Sequence, residues 1–360
     1  MPATNVNWPT PLTRLSPWYP GQMGVPGTDS ETGLRLNTEG AIFWVDPNHP
    51  DPHDQRDGTD PTAPLATVAA ALTHYEAYRG DVIAVVHNGM WTYGDMTSAN
   101  ITPVQESDTV EVPGVRIVGI SAGSLGVPWI GTANNTTCVT VEALDVTIEG
   151  FCFWEPTYTG VTAIAAAWNG PPYGENLTVR HCYFYSQAYG LTLDYTYNCF
   201  VEGCSFYGIS TAAIYNPGVY GDPDFLSIRD CRFENNVADI LLGDTDSVLV
   251  EGCRFFDVTT GVSINSGGYN QVLDCTFNGD PTVAISMTSG SYNVIRGNAI
   301  QADPTGTNNM INLTGGASNL VCDNCLSCTL AQYPTTCSDA GSGVWGGNHC
   351  GDGDTIAPPT

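Results

Sequence analysis

A six-residue phrase returns seven times between residues 148 and 300, and it constrains the fold more than any other feature of the sequence. It begins with Val or Ile, carries Gly, Asp or His in third place, and in six of the seven copies closes on Phe. Aligned on the fourth place, the copies read Phe151, Cys182, Cys204, Cys231, Cys253, Cys275 and Asn298, at spacings of 31, 22, 27, 22, 22 and 23 residues. A strand-like phrase with this period predicts a solenoid whose coils bury their core by stacking on one another.

A second short apolar run follows each phrase, for example at residues 190–193, 239–242 and 261–264. Two or three short strands in a turn of about 22 residues are typical of a parallel β-helix, not of a leucine-rich horseshoe or a propeller blade. The repeat therefore predicts an all-β chain folded as a single-stranded parallel β-helix.

Three regions are expected along the chain. Residues 1–40 are rich in Pro, Gly and Thr and show no period, which predicts an irregular N-terminal arm; residues 41–326 hold the β-helix, and residues 327–360 form a Cys-containing C-terminal cap and tail. Apolar residues at helical spacing predict a short helix near residues 65–78. A helix there would cover the open end of the solenoid.

The arm is expected to dock on another surface. It carries the large aromatic residues Trp8, Trp18 and Tyr19 on a segment without a period of its own. Such a segment does not recover its ordering entropy alone. The surface is either the body of the same chain or a neighbouring subunit.

The charge of the chain excludes several partners. There are 37 acidic and 10 basic residues, all of the latter Arg, for a net charge of −27. This balance disfavours nucleic acid and anionic membranes, and no apolar run reaches the 18 residues of a membrane span. The N-terminus lacks the basic and apolar regions of a secretory signal, so we expect assembly in a cytoplasm.

The cysteines of the phrase are expected to be free thiols. Cys182, Cys204, Cys231, Cys253 and Cys275 occupy one column, which Asn298 continues. Neighbouring parallel strands hold side chains about 4.8 Å apart, whereas the Cβ atoms of a disulfide lie about 3.8 Å apart. The column therefore predicts buried, reduced side chains, in keeping with a reducing compartment.

Three segments near the start of the solenoid carry a resemblance to a known family. They are residues 43–47 (FWVDP), 57–72 (DGTDPTAPLATVAAAL) and 80–83 (GDVI). Together with the repeat, they resemble the right-handed parallel β-helix proteins of the pectate-lyase-like superfamily, including phage tailspikes and virion decoration proteins. The resemblance covers residues 41–326 and implies the right-handed fold. It implies no single activity, because the superfamily contains lyases, hydrolases, epimerases and binding proteins.

Two sets of charged residues invite a catalytic interpretation. The second place of the phrase reads Glu149, Arg180, Glu202, Arg229, Glu251, Leu273 and Arg296, an alternation that predicts a structural ladder of opposite charges. The alternative makes Arg180 or Arg229 the base of a lyase. A second set of acids, Asp194, Asp222, Asp224, Asp244 and Asp246, includes pairs fit for acid–base work but falls where turns are expected. We predict no catalytic residue.

Long coils place extra residues at one corner of the solenoid, which usually marks the binding side. We assign residues 168–175, 215–224 and 121–137 to this corner. The candidate binding residues are Trp168, Tyr173, Tyr195, Tyr197, Tyr215 and Tyr220, which would stack on sugar rings or on a partner. The alternative is that they pack only the loops themselves.

No metal or cofactor is expected. Cys322, Cys325, Cys328, Cys337 and Cys350 lack a zinc-site spacing and are interpreted as an end cap of thiols or disulfides. The acidic loop with Asp46, Asp51, Asp54, Asp57 and Asp60 lacks the ligand spacing of an EF-hand. A Ca²⁺ ion in this loop is the alternative.

The resulting hypothesis is a non-enzymatic protein of a virion surface, either a phage capsid decoration protein or a fibre-like subunit. It would assemble in the host cytoplasm, contact capsid proteins, and form a homo-oligomer, a trimer by analogy with β-helix fibres. Cell-surface polysaccharide is a further expected partner. The alternatives are a polysaccharide lyase or hydrolase of the depolymerase-tailspike kind, and a bacterial surface adhesin.

Overall fold

The computed structural model describes residues 40–87, 103–121, 125–155, 157–166, 175–194, 196–216, 224–257, 259–279, 281–301, 309–327, 337–339 and 342–350. They form one solenoid of parallel β-strands with three sheets along its length. Each full coil contributes one strand to each sheet in turn, so the chain advances by one strand spacing per coil. The parallel β-helix expected from the repeat is confirmed.

The first sheet has twelve strands: β1 (Ile42–Val45), β2 (Val82–His87), β5 (Arg116–Ser121), β8 (Thr147–Glu149), β11 (Thr178–Arg180), β14 (Phe200–Glu202), β17 (Ser227–Arg229), β20 (Leu249–Glu251), β23 (Gln271–Leu273), β26 (Val294–Arg296), β29 (Ala317–Cys322) and β32 (Ser342–Gly346). The second has eleven: β3 (Val104–Gln105), β6 (Val127–Ile130), β9 (Phe151–Trp154), β12 (Tyr183–Tyr185), β15 (Ser205–Tyr207), β18 (Arg232–Glu234), β21 (Arg254–Phe256), β24 (Thr276–Asn278), β27 (Ala299–Ile300), β30 (Cys325–Leu326) and β33 (His349–Cys350). The third has ten: β4 (Asp108–Val110), β7 (Thr137–Val141), β10 (Thr162–Ala166), β13 (Tyr189–Leu193), β16 (Ala212–Tyr215), β19 (Ala238–Asp244), β22 (Thr260–Ser266), β25 (Val283–Met287), β28 (Asn309–Leu313) and β31 (Cys337–Asp339).

The repeated phrase is two strands joined by a tight corner. Its first three residues belong to the first sheet or the turn after it, and its last two belong to the second sheet. The third residue has a positive φ in every copy: Gly150, His181, Gly203, Asp230, Gly252, Asp274 and Gly297. Glycine adopts this conformation at little cost, and short polar residues tolerate it. The backbone of the corner therefore explains the Gly, Asp or His in third place.

The strands pair in the register of the sequence alignment. Val179 pairs with Ile148 on one side and Val201 on the other, and the pairing continues along the column to Ile295. Ile295 in turn pairs with Val321. Parallel strand pairing continues to Cys350, with one register irregularity between Ala317 and Leu320, past the residue 326 at which the sequence places the end of the β-helix.

A column of stacked phenylalanines fills the core beneath the second sheet. It consists of Phe153, Phe184, Phe206, Phe233, Phe255 and Phe277, each at most 1% exposed. Neighbouring ring centroids lie 4.3 to 5.3 Å apart with planes within 12° of parallel. The final Phe of the phrase is therefore the main core residue of each coil.

The five cysteines of the phrase lie buried at the corner between the first and second sheets. Each thiol points to two carbonyl groups, one in its own coil and one in the preceding coil. Cys275 Sγ, for example, lies 3.2 Å from the Leu273 oxygen and 3.8 Å from the Val250 oxygen. Burial raises the pKa of the Cys204 and Cys231 thiols. These cysteines are free in the structure.

Asparagine replaces cysteine in the last coils and makes the same contacts more strongly. Asn298 Nδ2 donates to the Val272 oxygen at 3.0 Å, and Asn298 Oδ1 accepts from the Cys275 N–H at 3.0 Å. Asn324 and Asn348 repeat this pattern. The amide thus satisfies both the N–H and the carbonyl that a thiol binds only weakly.

A second asparagine ladder, which we did not predict, lies at the corner between the third and first sheets. Val248 N–H donates to Asn270 Oδ1, Asn270 N–H to Asn293 Oδ1, and Asn293 N–H to Asn319 Oδ1, at 2.9 to 3.0 Å. Both corners therefore change to asparagine in the C-terminal coils.

We predict that Cys275→Asn leaves the free energy of unfolding unchanged or raises it. The amide would bond the Val250 carbonyl and the Cys253 N–H, as Asn298 does one coil later. Cys275→Ala should lower it by about 1–3 kcal/mol, because it removes these partners and leaves a small cavity. Denaturant unfolding of the two variants measures the difference. Equal losses in both would show that side-chain volume, and not hydrogen bonding, decides this position.

The one helix among the described residues, α1 (Val68–His74), lies at the N-terminal end of the solenoid and is shorter than the segment 65–78. Thr67 caps it by accepting from the Ala70 N–H at 3.1 Å. It ends at Tyr75, which is extended and buried and donates its hydroxyl to the Asp81 and Gly114 carbonyl groups. Among the described residues, no helix is long and apolar enough to cross a membrane.

Candidate functional site

The predicted binding residues fall only in part within the described chain. Trp168, Tyr173, Tyr195 and Tyr220 lie outside the described residues, as do Trp8, Trp18 and Tyr19 of the arm. Tyr215 belongs to β16 and stacks on Tyr189 with ring centroids 5.1 Å apart. Tyr197 is half-buried and forms a β-bridge with Asp224, between the third and first sheets. The structure thus places Tyr215 on a sheet and Tyr197 at a corner.

The assignment of residues 121–137 to the same corner is wrong. This segment contains β6, and Trp129 is fully buried in the core. Its indole N–H donates to the Glu106 carbonyl at 3.1 Å. Trp129 serves the core here because it occupies an inward position on the second sheet.

The candidate acids contact the backbone of neighbouring coils. Asp224 Oδ1 accepts from the Asp246 N–H at 3.0 Å, and Asp246 Oδ1 accepts from the Gly268 N–H at 2.5 Å. Burial, with the charges of Asp246 and Asp244, raises the pKa of Asp224 despite that hydrogen bond. Asp194 follows β13 directly, and Asp222 lies outside the described residues. Asp224 and Asp246 therefore link one coil to the next.

The alternating column of Arg and Glu occurs on the first sheet in the expected register. Its first member is Glu149, which is 3% exposed and lies 3.3 Å from Arg116, 3.5 Å from Arg180 and 3.5 Å from His181. Burial opposes its ionisation, but the hydrogen bond from His181 and the two guanidinium charges outweigh it and hold the pKa of Glu149 low. The Arg180 guanidinium is thus paired with a buried carboxylate of the same ladder, which argues for a structural role and against a lyase base.

Farther along the column the ion pairs reach the surface. Arg229 Nε lies 3.3 Å from Glu251, and both side chains are about half exposed. Such an exposed pair adds at most about 1 kcal/mol to stability. Its main effect is on register, because a slip of one residue would break the alternation.

A pair of interacting carboxyl groups, Glu106 and Asp108, is the site that sequence reasoning missed. Glu106 accepts from the Val68 and Ala69 N–H groups at the start of α1, at 3.0 and 3.1 Å. Burial, followed by the charge and the hydrogen bond of Glu106, raises the pKa of Asp108 to about 8. A pKa of about 8 leaves Asp108 a neutral acid at pH 7, next to the Glu106 carboxylate. Glu106 lies after β3 and Asp108 opens β4, so the two acids meet at a corner and no strand periodicity in the sequence signals the pair.

The substitution Asp108→Asn should stabilise the protein at alkaline pH. An asparagine mimics the protonated carboxyl and still donates to Glu106. Asp108 in the folded chain holds its proton up to about pH 8, whereas the unfolded chain loses it near pH 4. The wild-type free energy of unfolding therefore falls as the pH rises between these values.

Asp108→Asn should raise the free energy of unfolding by roughly 1–3 kcal/mol at pH 8.5 and change it little at pH 4. Denaturant unfolding at both pH values measures the effect. Glu106→Gln is the contrasting variant, since it removes the carboxylate that accepts from the N–H groups at the start of α1. It should destabilise at pH 8.5 and have less effect at pH 4, because burial raises the pKa of Glu106. A gain from Asp108→Asn that is equal at both pH values would contradict the shared proton.

The carboxylates of the acidic loop before α1 mainly accept hydrogen bonds from nearby backbone N–H groups. Asp54 Oδ1 accepts from the Ala66 and Thr67 N–H groups at 2.8 and 3.0 Å. Asp51 pairs with Arg56, and Asp60 accepts from the Thr62 N–H at 2.8 Å. Among the described residues there is no group of three His, Cys, Asp or Glu side chains arranged to hold a metal ion.

Comparisons with known proteins agree with this architecture. A family model described as a right-handed β-helix region matches residues 172–327. No curated protein matches the sequence. A structure of ORF18 of Geobacillus virus E2 aligns with a TM-score of 0.50 and 16% identity over 86% of this chain and 61% of that one. This chain therefore spans less than two thirds of the virus protein.

More distant likenesses include the Dettilon tailspike protein and a pectate lyase from Xanthomonas campestris. The tailspike aligns with a TM-score of 0.31 and 12% identity, over 85% of this chain and 70% of that one. The lyase aligns with a TM-score of 0.30 and 11% identity, over 86% of this chain and 82% of that one. At these identities the likenesses concern the fold alone.

Proposed function

This chain is a right-handed parallel β-helix protein, and from that premise we propose that it is a non-catalytic protein of a virion surface. It would serve as a phage capsid decoration protein or a fibre-like subunit. The fold alone does not distinguish an enzyme from a binding protein. The proposal therefore depends on what the side chains of the coils do.

The proposal rests on one observation: the side chains first considered for catalysis form contacts between neighbouring coils. Asp224 and Asp246 bind backbone N–H groups of the next coil. Arg180 and Arg229 are paired with Glu149 and Glu251. A catalytic acid or base needs a free position for substrate. These side chains instead set register and length, as a structural subunit requires.

The virus protein that shares the fold supports a viral setting for the proposal. In this setting residues 1–40 attach the solenoid to a capsid or to sister subunits in a trimer. The candidate aromatic residues, from Trp168 to Tyr220, then serve as contacts for cell-surface polysaccharide. The net charge of −27 keeps such a surface soluble and free of nucleic acid.

Immunogold labelling tests the location. Antibodies raised against the purified protein should decorate the outside of intact virus particles from an infected culture. As a control, antibody that has first been saturated with the purified protein should leave the particles unlabelled. Label on the bacterial envelope in uninfected cells, with none on particles, would favour a surface adhesin and end the viral proposal.

A second candidate function, polysaccharide hydrolysis or lysis, is favoured by the Glu106–Asp108 pair. One carboxyl group held neutral beside an ionised one is a pattern of acid–base sites. Against this function, the Glu106 carboxylate already accepts from the Val68 N–H group at the start of α1, and Asp108 is only 7% exposed. We expect no release of reducing ends or unsaturated products from a panel of acidic and neutral polysaccharides with Ca²⁺ present. Product release that is lost in Asp108→Asn or Asp244→Asn would establish an enzyme.

A further inference from the structure

One corner column of the solenoid carries aromatic residues in a conformation that aromatic residues rarely adopt. The column lies two to four residues before the strands of the first sheet from β2 to β26 and at the start of β29, and each of its residues has a positive φ. Its members are Tyr78, Gly114, Asp145, Asn176, Asn198, Phe225, Ser247, Tyr269, Tyr292 and Ser318. Successive coils are joined here by backbone hydrogen bonds, such as Phe225 N–H to Asp246 O and Ser247 N–H to Gly268 O.

Six positions of this column hold the Gly, Asn, Asp or Ser residues that a left-handed turn favours. The other four hold Tyr78, Phe225, Tyr269 and Tyr292, with φ between 55° and 63°. A bulky residue at such a φ is strained, and strain of this kind clusters at functional sites. The corner could be built from small polar residues, as its other coils show.

These aromatic side chains recover little of that strain by burial. Tyr78, Phe225, Tyr269 and Tyr292 are 56 to 61% exposed. Tyr269 and Tyr292 stack on each other with centroids 5.3 Å apart and planes 10° from parallel. Tyr78 lies over Gly114 and is hydrogen-bonded with Asp145. Phe225 and the Tyr269–Tyr292 stack are thus exposed apolar groups of the C-terminal half, as are Phe200, Val237, Leu320 and Val344.

The spacing along the column leaves room for one ring between Phe225 and Tyr269. They are two coils apart with Ser247 between them, which corresponds to about 9.6 Å. That is twice the roughly 4.5–5 Å at which a flat ring stacks on an aromatic face. A single six-membered ring above Ser247 would therefore contact both aromatic residues.

The charges nearby disfavour an anionic occupant. The adjacent outward column carries Phe200, Ser227, Leu249 and Gln271, which are neutral and at least partly exposed. The acids Asp224 and Asp246 directly precede Phe225 and Ser247, and the chain as a whole carries −27, so an acidic polymer would be repelled. Exposed aromatic residues beside polar groups are suited to the apolar faces of uncharged sugar rings.

We propose that Phe225, Ser247, Tyr269 and Tyr292 form a binding site for a neutral polysaccharide, with one sugar ring held between Phe225 and Tyr269. The proposal rests on the proposed contact with surface polysaccharide and adds the residues and the class of glycan. The site lies at the corner from which residues 167–174 and 217–223, with Trp168, Tyr173 and Tyr220, depart in the chain.

Affinity electrophoresis of the purified full chain tests the site. Native gels containing dextran, laminarin or arabinoxylan are the neutral probes, and alginate is the acidic one. At least one neutral polysaccharide should retard the wild-type protein, and alginate should not. The double variant Phe225→Asn with Tyr269→Asn should lose at least tenfold in association constant. Ser247→Tyr should cause a similar loss, because its ring would fill the gap.

The asparagine variants separate binding from folding. Asparagine already occupies this column at Asn176 and Asn198, so the double variant should unfold at the same or a higher temperature than wild type. Tyr78→Asn, in the same column and equally exposed, is the matched control and should leave retardation unchanged.

Several results would overturn the proposal: no retardation by any neutral probe, unchanged retardation of the double variant, or retardation by alginate alone. A lower oligomeric mass of the double variant in light scattering would instead identify an interface between copies. Virion labelling is measured independently, so its failure and the failure of the polysaccharide site remain distinguishable.

Discussion

Replacing Phe233 with alanine should lower the free energy of unfolding by about 3–5 kcal/mol, the largest stability change expected from a single substitution in this chain. Phe233 is fully buried, with Phe206 and Phe255 stacked on its two faces at 5.0 and 4.9 Å. The alanine would leave a cavity between these two rings. Because neighbouring coils are held by their own strand pairing, the cavity has little freedom to collapse.

The matched control is Phe200→Ala. Phe200 has the same side chain on the first sheet but is 49% exposed. Its removal should change stability by no more than about 0.5 kcal/mol. Denaturant unfolding followed by circular dichroism measures both. If the two losses were similar, the phenylalanine column would not be the main source of stability in the core.

Deleting residues 1–40 should abolish assembly while leaving the β-helix folded. The arm carries Trp8, Trp18 and Tyr19 on a segment that is expected to gain its order only by docking across a subunit boundary. The molecular mass in light scattering should fall from that of a trimer to that of a monomer. The circular dichroism spectrum should keep the shape of a β-solenoid.

A triple variant in the full-length chain, Trp8→Ala with Trp18→Ala and Tyr19→Ala, is the companion experiment. It keeps the length of the arm and removes the aromatic anchors, so it should also be monomeric. An assembly that survives the deletion would show that the arm covers only its own chain. Assembly lost on deletion but kept in the triple variant would assign docking to other residues of the arm.

The fold was open to prediction because the repeat acts on every coil. Val179 and its partners occur in the register that the phrase dictates, since each coil must place an apolar residue above the previous one. What the alignment did not reveal is the corner inside the phrase. It became visible only as the positive φ of residues such as Asp230 and Gly252.

The functional surfaces were harder to predict because they depend on residues that do not repeat. Glu106 and Asp108 interact through their place beside α1, and no spacing rule links them to Val68. Phe225 and Tyr269 are two coils apart, and their shared column appears only when the turn conformation of each coil is known. Trp129 was assigned to an inserted loop because its four-residue strand, β6, carries no recognisable copy of the repeated phrase.

The hydrogen bonds of the asparagine ladders all run in one direction along the chain. Each amide oxygen accepts from the coil that precedes it in the chain: Asn298 serves Cys275, Asn324 serves Asn298, and Asn348 serves Asn324. Each newly synthesised coil therefore supplies the amide oxygen that the backbone N–H group of the preceding coil lacks. Its own N–H group stays unpaired until the next coil is made. We expect stacking to follow synthesis from the N-terminal end, so that the growing chain exposes mainly its newest coil.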